Sequence, residues 1–133
     1  MDVATRDLVR KRAGDRCEYC RLAQRHMPVP AFHTEHIVAR KHRGGDAPEN
    51  LAFACDQCNL HKGADLAGLD PDTGELVRLF HPRRDVWSEH FRFDGARMSG
   101  RTPCGRTTAW LLQMNSDERV ELRGILAALG ELA

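Results

Sequence analysis

The apolar positions of this chain fall into short, interrupted clusters separated by Gly-, Pro- and Asp-bearing breaks. Over residues 3–13, Leu8, Val9 and Arg12 lie near one face of a predicted helix, and Gly14 supplies a stop. Pro28 and Pro30 make residues 21–30 a loop. Ala31 to Val38 alternates loosely and is rich in Phe, Thr, Ile and Val, which predicts a strand, half of a hairpin. A polar loop over residues 40–49, with Gly44-Gly45 and Pro48, leads into Glu49–Ala54, a second strand or a turn. Cys55 to about Leu66 reads as helix. The run Asp70-Pro71-Asp72-Thr73-Gly74 is a turn, and Leu76–Phe80 and Phe91–Phe93 are short strands with Trp87 between them. Thr107–Met114 and Asp117–Leu132 read as helices, with Ser116 placed to cap the second. Leu122, Ile125, Leu126 and Leu129 give that last helix an apolar stripe for core packing or, alternatively, for a dimer face.

Composition adds a constraint. A chain of 133 residues fits one domain, but with only 6% aromatic residues its core is thin. Net charge is +1, yet the charges are unevenly laid out. Residues 1–45 carry 10 Lys/Arg against 5 Asp/Glu, and residues 46–77 carry 1 against 7. Residues 78–106 carry 7 against 3. Two basic segments suit an anionic polymer, although ordinary surface charge explains them as well. The N-terminus shows no apolar signal region and no run approaches a membrane span, so the expectation is a cytoplasmic protein with no membrane partner. In that compartment paired cysteines bind metal more often than they form disulfides.

Cys17-x-x-Cys20 and Cys55-x-x-Cys58 each offer two thiolates, and together they complete a tetrahedral structural Zn²⁺ site. The 34 intervening residues are no obstacle, because doubling a loop costs only about 0.6 kcal/mol. Two disulfides or a redox pair are the competing readings, and the compartment and the missing strand–helix context of a redox motif weigh against them. Cys104 is left over and reads as a free thiol with no special role.

Interlocked with the cysteines are Glu35-His36-Ile37, Gly44-Gly45, Asn50-Leu51 and Cys55-Asp56-Gln57-Cys58-Asn59-Leu60-His61-Lys62. This order, over about residues 17–63, resembles the HNH (His-Asn-His) endonuclease family in its zinc-knuckle form. The segment around Phe80–Phe91 also looks like bacterial HNH nucleases. The resemblance implies an α+β fold: a small ββα-metal finger stapled by the four-cysteine zinc, with flanking N- and C-terminal helices. It implies a single domain over 1–133, with residues 64–133 as an extension of the motif core. It also implies an endonuclease that hydrolyses DNA phosphodiesters, with RNA as a second candidate substrate.

By the same resemblance His36 is the general base, a task for which imidazole, with an ordinary pKa of ~6.5, is the suitable side chain. Glu35 and Asn59 match the ligand positions for a catalytic Mg²⁺ or Mn²⁺, hard ions that take oxygen donors. Asn50 matches the residue that braces the loop behind the base. Arg40, Lys41, Arg43 and Lys62 are candidate phosphate contacts, with Arg83-Arg84 extending the track. His33 shares a strand face with Glu35 and is a further candidate for metal or substrate, whereas His61 points elsewhere. Three positions depart from the commonest family pattern: Glu35 for Asp, Asn59 for His and Ala39 for Pro. The first two keep oxygen ligands and favour Mg²⁺-like ions. Each residue alone has a structural reading, and the alternative for the whole is a non-catalytic zinc module that binds nucleic acid or protein. A nuclease that acts only with a partner is a third reading, and oligomeric state is open.

Overall fold

A computed structural model describes residues 1–132. Its contacts divide the chain into two compact units, Met1–Ala64 with His81–Arg84, and Asp65–Phe80 with Asp85–Ala133. Elements are mixed α and β, with every sheet among the described residues an antiparallel pair.

The first unit begins with helix α1, Val3–Arg12, capped by the Asp2 carboxylate, which accepts from Thr5 N at 2.8 Å. Three basic residues in its last turn suit the negative end of the helix dipole. Val9 is its one buried residue, and Arg12 anchors it by donating to the carbonyls of Leu51 (2.8 Å) and Pro48 (3.1 Å). The predicted hairpin is present. Strand β1, His33–His36, pairs antiparallel with β2, Leu51–Ala54, so that Glu35 lies opposite Ala52 and His36 opposite Leu51. All of β2 is buried. Helix α2, Asp56–Lys62, follows at once. It ends four residues earlier than the sequence pattern suggests, because Gly63 turns the backbone to φ +50°. The segment His81–Arg84 belongs to this unit, where the Arg83 guanidinium ion-pairs with buried Glu18. Arg83 is therefore a structural cation and not part of a surface phosphate track.

In the second unit, β3 (Ala67–Leu69) pairs with β4 (Leu76–Arg78) across the expected turn. There Asp70 Oδ1 accepts from Asp72 N at 3.0 Å, and Gly74 supplies φ +73°. The one-turn helix α3, Trp87–His90, leads into β5 (Phe91–Asp94), which pairs with β6 (Arg97–Gly100). Strands β3 and β6 are short and carry no alternating pattern that predicts them from the sequence. Helix α4, Pro103–Leu111, starts four residues before the predicted Thr107. Thr102 caps it through Gly105 N (3.0 Å) and Pro103 pre-sets its first turn.

Helix α5, Asp117–Ala128, corrects the predicted stripe. Leu126 is buried, but Ile125 is 53% and Leu129 66% exposed. The buried face is instead Arg119, Arg123 and Leu126. Arg119 donates to the Leu112 carbonyl, and Arg123 donates to Met114 O and to Ala96 O, the latter at 3.0 Å. Ser116 stands at the cap position but makes no capping bond with its side chain.

Arg123→Ala is expected to destabilise this unit by about 3 kcal/mol, since each buried carbonyl left without a donor costs about 1–3 kcal/mol. Urea unfolding followed by tryptophan fluorescence measures it, and a loss below about 1 kcal/mol contradicts the assignment of Arg123 as a core residue.

Candidate functional site

The four motif cysteines converge. Cys17, Cys20, Cys55 and Cys58 are fully buried, and their sulfurs all lie within 4.8 Å of one another. No disulfide joins them, and the Cys20 and Cys55 sulfurs stand 3.7 Å apart. Local turns produce the cluster: Arg21 adopts φ +68° and donates its N–H to Cys17 O at 3.0 Å, while Cys55 is the N-cap residue of α2. In each pair the second cysteine's N–H donates to the first cysteine's sulfur at 3.4 Å. Burial pushes the Cys17 and Cys58 thiols well above their ordinary value. Four sulfurs with amide donors, in a space shielded from water, form a donor set that fits a soft divalent ion.

The same unit holds a cleft of about 330 Å³ whose walls include His36, Glu35 and Asn59. Strand β1 supplies the first two and helix α2 the third, so the register of the hairpin and the start of the helix set their spacing. The Asn59 amide makes no side-chain hydrogen bond among the described residues. His33 and Arg40 also border the cleft. His33 bonds to Asp56 at 3.0 Å, which ties the strand to the first turn of the helix.

Glu35 faces inward and is only 6% exposed. Tyr19 donates its hydroxyl to Oε1, and the Lys62 ammonium lies 3.3 Å from Oε2. Burial raises the Glu35 pKa, against the lowering effect of Lys62 and Tyr19. Lys62 does not lie at the surface as a phosphate contact would. It is 2% exposed, and its ammonium also donates to the carbonyls of Ile37 (2.9 Å) and His36 (3.3 Å). Its length lets it cross from the last turn of α2 to the end of β1, where it meets a buried carboxylate.

His36 has a partner that sequence reasoning did not single out. Its Nε2 lies 2.7 Å from Asp46 Oδ1, and Arg40 grips the same carboxylate at 2.8 and 2.9 Å. The hydrogen bond from His36, aided by Arg40, holds Asp46 below the usual carboxylate range. An ionised carboxylate can only accept, so Nε2 is the donor in this pair, and in the neutral ring the lone pair then falls on Nδ1. The only hint in the sequence is an acid just after Gly44-Gly45. Of the predicted phosphate contacts, Lys41 and Arg43 are exposed, and Arg40 is exposed but engaged by Asp46.

The Asn50 side chain braces the connection between β1 and β2. Its carbonyl accepts from Val38 N (2.9 Å) and its amide donates to Val38 O (2.9 Å) and Gly45 O (2.8 Å). Gly44 makes that closure sterically feasible, since a Cβ there would stand 1.6 Å from Val38 O. Gly44→Ala is therefore expected to open the loop that holds Asp46 against His36, with loss of amide protection at Val38 by hydrogen exchange. Unchanged protection in the variant contradicts this.

Residues 17–65 match the family model described as HNH endonuclease. No curated protein and no solved structure matches the chain. The matched stretch contains all four cysteines, the hairpin, the Asn50 brace and α2. From Cys17 to Asp65, the chain carries an HNH endonuclease family segment.

Proposed function

We propose that this protein is a metal-dependent DNA endonuclease in which His36 is the general base and the cysteine cluster binds structural Zn²⁺. The observation that carries the reading is the cleft that brings His36, Glu35 and Asn59 together. Asp46 supports it, because the proton it draws to Nε2 leaves Nδ1 free to take a proton from water. Asp46 is thus a positioning residue and Asn50 a brace for the same loop.

Glu35 and Asn59 offer the oxygen donors that suit Mg²⁺ or Mn²⁺. An ion held there supplies charge stabilisation for the phosphate and the leaving oxygen. Lys62 offsets part of the Glu35 charge and opposes the rise in pKa that burial causes, so affinity for the ion is expected to be modest. Lys41 and Arg43 give the site a basic border for phosphates on either side of the cut, a source of affinity and salt dependence without base readout.

The Glu35–Lys62 pair also favours a second reading, a non-catalytic zinc module in which Lys62 fills the cation position. A plasmid-nicking assay separates the two. The nuclease reading predicts cleavage with Mg²⁺ or Mn²⁺, blocked by chelation and reduced about 10²- to 10⁴-fold in His36→Ala. Asp46→Ala removes one charge-assisted hydrogen bond of about 1.5 kcal/mol, on the order of tenfold in rate, with folding intact. Wild-type protein that leaves single- and double-stranded DNA uncut with every ion favours the module.

Structural zinc makes a separate prediction. Its binding is worth on the order of 10 kcal/mol, comparable to the whole stability of a typical domain. Zinc analysis should find bound metal in the purified chain. Cys55→Ser should lose it together with folded signal in the first unit, whereas a metal-free, fully folded wild type contradicts the assignment.

A further inference from the structure

Cys104, set aside as a lone thiol by its sequence position, is not isolated in the fold. Its sulfur, a ring nitrogen of His90 and a carboxylate oxygen of Asp85 all lie within 4.8 Å of one another. The three come from different segments of the second unit: the residues before α3, the end of α3 and the first turn of α4. Two close backbone approaches bring them together. A Cβ on Gly105 would stand 1.9 Å from the His90 carbonyl, and one on Gly100 would stand 2.3 Å from Arg106 N. Only glycine at both positions lets the start of α4 settle against His90.

Two of the three ligand candidates are held by further partners. The Thr102 hydroxyl, which caps α4, bonds His90 Nδ1 at 2.6 Å and leaves Nε2 for ligation. Phe80 packs edge-on against the His90 ring at 5.9 Å. Arg78 grips Asp85 through two bonds of 2.6 and 3.0 Å.

We propose that Cys104, His90 and Asp85 form a second metal site, distinct from the four-cysteine cluster, for a zinc-type divalent ion with water in the fourth position. One thiolate, one imidazole and one carboxylate make a mixed soft and hard set that suits Zn²⁺ or Co²⁺ and excludes Mg²⁺ and Ca²⁺, which take oxygen donors. Zinc–ligand bonds of 2.0–2.3 Å put tetrahedral donors roughly 3.5 Å apart, so modest side-chain rotation closes the cluster around an ion. Thr102 on the imidazole and Arg78 on the carboxylate are the kind of outer partners that fix ligand orientation. On binding, the Cys104 thiol releases its proton to solvent and the sulfur becomes a thiolate ligand. Asp85 keeps one oxygen on Arg78 and turns the other to the ion. The bound ion ties the entry to α3 to the start of α4.

The test uses the full chain with its four-cysteine site already filled with zinc. Added Co²⁺ is expected to give a thiolate-to-cobalt charge-transfer band. Zinc titration against a chromophoric chelator is expected to show one ion per chain beyond the filled site. Cys104→Ser and His90→Gln should each lose the band and the extra ion while keeping the first. Zinc should raise the melting temperature of wild type and not of either variant. Wild-type protein that shows no band and binds nothing beyond the four-cysteine site overturns the proposal whatever the variants do. A band that survives in Cys104→Ser overturns it as well.

Discussion

The convergence of four buried sulfurs is the constraint on which the HNH segment depends. Cys55 directly follows the last residue of β2 and is the N-cap residue of α2, so fixing its sulfur fixes where strand gives way to helix. Asn59 is one helical turn further on, and its place in the cleft follows from that junction. The antiparallel register then carries the constraint across to β1, where Ala52 faces Glu35 and Leu51 faces His36. A thin core of Val9, Tyr19, Leu22, Phe32 and Phe53 would hold these elements only loosely without it. The knuckle that carries Cys17 and Cys20 adds a second tie, because the backbone and side chain of Glu18 both bond Phe53 at 2.8 Å.

Around that frame, charge is used inside the molecule as well as on its surface. Lys62 reaches a buried carboxylate and two carbonyls and Arg83 reaches buried Glu18, while Arg40 meets Asp46 at the surface. An ionised Glu35 in a dry site would be costly alone, and Lys62 with Tyr19 offsets that cost. The same pairing gives the cleft a carboxylate whose charge is partly compensated before any ion arrives. The two sides of the cleft therefore differ. Glu35 is held from within by a buried cation, while His36 is held from the solvent side by an exposed Asp46–Arg40 pair. In the proposed nuclease the base has to exchange protons with water, which the solvent side of His36 suits, and the metal-binding carboxylate has to carry charge, which burial of Glu35 opposes and Lys62 with Tyr19 favours.

The sequence made the cysteine pairs, the hairpin and the following helix legible because each depends on short-range spacing, and the Asn50 brace was legible through the family resemblance. Two residues between cysteines is a chelate distance whatever the surroundings, and Gly44-Gly45 before Asn50 marks a tight connection. Less legible were partnerships that depend on where loops return. Asp46 lies ten positions from His36 and Tyr19 sixteen from Glu35, with no periodicity to announce either contact. Lys62 was misread for a related reason: a lysine three residues past Asn59 is exposed on most helices. Here the last turn of α2 abuts β1, and a long side chain finds a buried acid there.

Helix α5 shows why hydropathy alone chose the wrong face. The period was right, since Arg119, Arg123 and Leu126 follow the spacing of one helical face, but two of the three are arginines. An arginine stem is apolar, and its planar head carries several donors. A chain reversal such as the one around Met114 leaves carbonyls that no helix or sheet claims, and a guanidinium with the reach to meet them becomes a core residue. Leucine at the same positions would fill the volume and leave Leu112, Met114 and Ala96 with unmet acceptors. Ile125 and Leu129 lose the interior because they cannot supply those hydrogen bonds. The backbone of the preceding turns thus decides which face of the helix is buried, and that information is absent from the helix's own pattern.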